Sequence, residues 1–174
     1  MALNAGLRRA ASRLHTFAEG VAAALLAVIF VAFVIQIVFR YAFNLPVGWT
    51  SELSVVAWLW LVLWGAAFVL KEEDEIRFDL LAGMGGRRTR IGLGIVAAVS
   101  IVVLYGLSLP ASYAYVSFMK VERSSYLKLR FDWMFSIYLI FAVAVIARYL
   151  WILGRLLRGE EPAAPNETSP GSAL

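Results

Sequence analysis

Apolar residues along this chain come in long uninterrupted blocks rather than in alternation or short stripes. Val21 to Phe39 is a run of 19 residues whose only strongly polar member is Gln36. Leu53 to Leu70 is 18 residues without a charge, and Ile91 to Met119 is 29. Trp133 to Ala147 is a further 15, extended by Tyr149 to Gly154 once Arg148 is passed. About 20 apolar residues cross a hydrocarbon core of roughly 30 Å as an α-helix. Backbone groups in lipid must be satisfied within the segment, which excludes isolated strands of this length. The pattern predicts an all-α integral membrane protein with four transmembrane helices, over about 17–39, 51–70, 91–118 and 132–154.

The third run would be about 43 Å long at about 1.5 Å per residue, well beyond the hydrocarbon core. It is expected to tilt, to kink near Pro110, or to extend outside the membrane. Tyr113, Tyr115 and Phe118 near its end suit an interfacial aromatic belt. Between the second and third runs, Ile76, Leu80 and Met84 recur every four residues, which suits a short interfacial helix on the membrane surface. An ordinary solvated loop fits the same residues. Residues 1–158 read as one four-helix membrane domain, and 159–174 as a disordered cytoplasmic tail with a Pro, Glu and Ser bias.

Composition agrees with the pattern: 61% of the 174 residues are hydrophobic and 16% charged, too few charges for the surface of a soluble domain this small. The first run follows Arg8, Arg9 and Arg13 as a signal peptide would, but it is too long for one and reads as a retained anchor. The cations set an orientation. Of 16 Lys and Arg, 11 precede the first run, lie between the second and third, or stand at the end of the fourth helix. The other five are Arg40, Lys120, Arg123, Lys128 and Arg130. The positive-inside rule then places the N and C termini in the cytoplasm, and the net charge of +4 is a topology signal rather than a sign of nucleic acid.

Candidate chemistry is sparse. There is no cysteine, and His15 is the one histidine, so axial haem ligands inside the spans are lacking. Glu19, Glu52, Asp79 and Asp132 all sit at or beyond the ends of the runs, not in mid-membrane where a proton-coupled carrier needs a carboxylate. No nucleophile is paired with a base and no metal-site spacing occurs in the spans, so neither catalysis, a cofactor nor a metal is expected.

Three features stand out. Gln36 and Arg40 share a helix face four residues apart, and Glu52 follows Thr50, a candidate N-cap. Glu52 reads as a carboxylate favoured by the helix dipole, or as the partner of Arg40 in an ion pair that shapes the turn or docks a partner. The second run holds Trp58, Trp60 and Trp64 near mid-membrane beside Gly65, Ala66 and Ala67, which suits a face packed on another membrane protein. Arg148 lies a turn or two inside the inner boundary, where it snorkels or forms an intramembrane ion pair with Glu19.

Over residues 36–81 the chain resembles the small membrane subunit, of DctQ type, of tripartite ATP-independent periplasmic (TRAP) transporters. The likeness rests on Phe39, Arg40 and Tyr41 ending the first helix, and on Trp49 and Glu52 opening the second. Gly65 and the stretch Ile76, Phe78, Asp79 continue it, while the acidic "EEDE" at 72–75 replaces the usual small-polar segment. The resemblance implies an inner-membrane subunit that scaffolds a large multi-span transporter subunit. It also implies an outer surface for a periplasmic substrate-binding protein, in sodium-coupled uptake of an organic acid. C4-dicarboxylate, sialic acid, other sugar acids and keto acids are not separable from these residues. The bilayer is the remaining partner. Two rival readings are a self-sufficient homo-oligomeric transporter and the membrane anchor of a redox complex.

Overall fold

The structure is a computed structural model that describes residues 2–45, 47–70 and 87–158, and the side chains among them from Ser12 onward, except those of Arg87 and Arg90. It contains four long helices: α1 (Ala2–Ala42), α2 (Gly48–Trp64), α3 (Arg87–Phe118) and α4 (Phe131–Leu157). A π-helical turn, Gly65–Val69, continues α2, and a 3₁₀ turn, Met119–Val121, follows α3. Among the described residues, four segments are long and apolar enough to cross a membrane: Ser12–Ala42, Gly48–Val69, Ile91–Val121 and Phe131–Leu157. The four spans expected from the hydrophobic runs are therefore present. The expected surface helix, Asp79, the 72–75 cluster and the 159–174 tail lie outside the described residues.

The chain divides into two compact units, one of Met1–Val69 with Leu107–Ala144, the other of Leu70–Gly106 with Val145–Leu174. In the first, α1 meets α2 and the π-helical turn, and each carries buried small residues: Ala18 and Ala32 on α1, Ala57 on α2 and Ala67 in the turn. Small residues let helix backbones approach closely where lipid supplies no hydrophobic drive for association. Ile137 on α4 is fully buried, while Leu26, Phe30 and Phe33 on α1 and Leu107 on α3 are exposed. In the second unit Val145, Ile152 and Leu156 form a buried stripe on α4, and the Arg155 guanidinium sits 4.8 Å over the Trp151 ring.

Pro110 lies inside α3 and the helix continues through it. Proline removes one ladder hydrogen bond, and polar side chains near such a break are a common compensation in membranes. Ser108 and Ser112 flank it, their hydroxyl oxygens 3.3 Å apart.

At the other end of α1, Asn44 adopts a left-handed conformation with φ of 54°. Asparagine is among the few residues besides glycine that tolerate this region. The Leu45 N–H then donates to the Phe39 carbonyl at 3.1 Å, folding the chain back over the helix end and into α2.

Candidate functional site

The α2 start is built differently from the expectation. Val47, with no capping side chain, precedes the helix, and Thr50 is its third residue rather than its N-cap. The Thr50 hydroxyl, fully buried, donates back to the Val47 carbonyl at 2.7 Å. The reason is register: starting the helix at Gly48 moves Thr50 and Glu52 a turn inward, so Glu52 projects from the side of the helix, not from its tip.

There Glu52 meets the connection between α3 and α4, a short hairpin. Arg123 and Arg130 pair antiparallel, the Ser124 N–H donates to the Leu129 carbonyl at 2.9 Å, and the Phe131 N–H donates to the Glu122 carbonyl at 3.2 Å. Lys128 takes the left-handed conformation needed to turn the tip, and the buried Ser124 hydroxyl accepts from the Leu129 N–H at 3.2 Å. This leaves two successive N–H groups at the tip pointing the same way. Glu52 fills that concavity: Oε1 accepts from the Tyr126 N–H at 3.0 Å and Oε2 from the Leu127 N–H at 2.9 Å. Tyr126 lays its ring over Gly48 so closely that a Cβ at Gly48 would collide with it.

The Arg40–Glu52 ion pair expected from the sequence is therefore absent, because both Glu52 oxygens face backbone donors 74 and 75 residues further on. Arg40, Tyr41 and Phe43 are exposed, with Tyr41 the most so at 80%. Gln36 is half-buried, and Trp49 is exposed at the α2 start. Near the hairpin base, Asp132 receives two bonds from Arg130, at 3.1 Å from Nε and 2.7 Å from Nη2. The 122–130 hairpin went unrecognised in the sequence. Its one visible signal is the polar stretch "ERSSYLKLR" between two long apolar runs on the same side as Glu52.

The tryptophans divide by role. Trp60 stacks on Trp133 with centroids 4.9 Å apart and donates from Nε1 to the Met134 carbonyl at 3.2 Å. Trp64 donates to the Ala18 carbonyl of α1 at 3.1 Å. These two rings thus join α2 to its own neighbours, and both remain half-buried. Trp58 is 59% exposed and is the one of the three facing outward.

At the far end of α2, His15 closes the α1 contact. Its Nε2 donates to the Val69 carbonyl at 3.3 Å, and its Nδ1 lies 3.2 Å from Glu19 Oε1. The π-helical turn places the Val69 carbonyl there, and such turns occur often at functional positions. Glu19 has His15 as a neighbour, and Arg148 is a half-buried residue of α4. Among the described residues no group of three or more His, Cys, Asp or Glu could hold a metal ion.

These helices and loops fall within one sequence family. The family model for the DctQ component of tripartite ATP-independent periplasmic transporters matches residues 29–159. The chain is also 31% identical over 91 residues to the C4-dicarboxylate TRAP transporter small permease protein DctQ of Vibrio cholerae serotype O1. That match takes in 52% of this chain and 39% of the relative. The chain belongs to the DctQ component family of tripartite ATP-independent periplasmic transporters.

Proposed function

We propose that this chain is the small subunit of a TRAP-type secondary transporter, holding a large multi-span subunit in the bacterial inner membrane and offering a surface to a periplasmic substrate-binding protein. The observation that carries the reading is the Glu52 clasp. It ties the α1–α2 turn and the α3–α4 hairpin into one exposed surface at the same end of the helices. Tyr41, Phe43 and Tyr126 stand exposed on it, and exposed aromatics are common anchors of protein interfaces. Both termini are cytoplasmic in this reading, so the clasped surface faces the periplasm. Sodium and substrate ligands belong to the large subunit. C4-dicarboxylates are the first substrate class to try, because the Vibrio cholerae relative is named for them.

The test is a mild-detergent pull-down of the tagged full chain from its native membranes, with mass spectrometry of the recovered proteins. Stoichiometric recovery of one much larger multi-span protein is expected. Recovery of the chain alone, or only as a homo-oligomer, would refute the scaffold role.

A further inference from the structure

A groove of about 390 Å³ runs between three helices of the first unit. Its walls are Leu59 and Leu63 of α2 and Phe135 and Tyr138 of α4, with Ala111 and Ser112 of α3 also lining it. Tyr115 and Val116 line it toward the end where α3 gives way to the hairpin. All of these residues lie inside the spanning segments, so the groove opens at membrane depth. Tyr138 is seven residues into α4, about 10 Å from its start at about 1.5 Å per residue. The groove therefore reaches from the end of the helices well into the hydrocarbon layer.

The hairpin end above the groove has an excess of positive charge. Lys120 is one turn beyond Val116, and it lies close enough to Asp132 for its charge to act on that carboxyl. Arg123 stands directly across the hairpin from Arg130, and like charges in that position repel. Asp132 neutralises Arg130 through two bonds. Lys120 and Arg123 are exposed, and among the described residues neither has an ion-pair partner within 4.0 Å. An apolar slot in the bilayer, followed within two turns of chain by unmatched cations where α3 runs out into the hairpin, suits a phospholipid with a negative headgroup.

We propose that this groove is a binding site for one anionic phospholipid, with an acyl chain between α2, α3 and α4 and the headgroup phosphate at Lys120 and Arg123. Arginine and lysine both bind phosphate, and each cation near a negatively charged lipid headgroup favours association by roughly fivefold. A helix of a second membrane protein would explain the apolar walls but gives no role to the cations that follow α3.

The test is native mass spectrometry of the full chain released from nanodiscs containing equal phosphatidylglycerol and phosphatidylcholine. One retained lipid is expected, with phosphatidylglycerol preferred. Replacing both cations, as Lys120→Gln with Arg123→Gln, should lower that preference by roughly fivefold for each charge removed. These positions are exposed, and an unchanged melting temperature would show the fold intact. Ala111→Phe should fill the groove and remove the retained lipid whatever its headgroup. No retained lipid in the unaltered chain, an unchanged preference in the double variant, or full retention in Ala111→Phe would each overturn the site. So would a photo-crosslinker at position 111 that captures a protein rather than lipid in native membranes.

Discussion

At the scale of single residues, Glu52 joins the start of α2 to a hairpin 74 residues further along the chain. Its two oxygens satisfy two backbone donors that the hairpin tip cannot pair internally. Glu52→Ala is expected to free the Tyr126 and Leu127 amides, and hydrogen exchange there should speed up on the order of tenfold. Glu52→Gln keeps one acceptor oxygen and should fall between. Unchanged exchange at both amides would show that the hairpin holds itself. Gly48 gives an independent check, since its missing side chain makes room for the Tyr126 ring. Gly48→Ala should lower stability by about 1 kcal/mol with Tyr126 present, and by close to nothing in a Tyr126→Ala background, where the collision is gone. Equal costs in the two backgrounds would place the strain elsewhere.

At the scale of elements, α2 is joined to both α1 and α4. Trp60 takes it to α4 and Trp64 takes it to α1, each by a ring N–H to a backbone carbonyl. Trp60→Phe removes that bond and weakens the stack on Trp133, and should cost about 0.5–1.5 kcal/mol in detergent. Trp58→Ala should leave stability within about 0.5 kcal/mol while lowering recovery of the large subunit, because Trp58 faces out. If Trp58→Ala destabilises the chain and leaves copurification intact, the outward face is not an interface. The elements themselves were legible in the sequence, because an apolar run of about 20 residues has one stable form in lipid. The site was legible only as residues. Trp49, Glu52 and the three tryptophans could be singled out, but not their partners. Glu52 is 74 residues from Tyr126, and no local pattern encodes a contact at that separation. The π-helical turn was invisible for a related reason, since "GAAFV" would serve an ordinary helix equally well.

At the scale of the whole molecule, the balance of burial points outward. Phe30 is 68% exposed, Leu107 76% and Phe118 71%, values that water would penalise and that lipid or a partner subunit would not. The function proposed for the clasped surface depends on which side of the membrane it faces, and the chain offers a clean way to ask. It has no cysteine, so any one introduced cysteine is unique. Asn44→Cys and Ser125→Cys lie on the exposed turn and hairpin, and both should react with a membrane-impermeant maleimide in cells whose outer membrane alone is permeabilised. Ser12→Cys and Thr89→Cys, at the opposite ends of α1 and α3, should react only after lysis. The asymmetry of 11 cations to five is the physical cause, because basic loops resist translocation. The reverse labelling pattern would turn the Glu52 clasp toward the cytoplasm, where a periplasmic binding protein could never reach it.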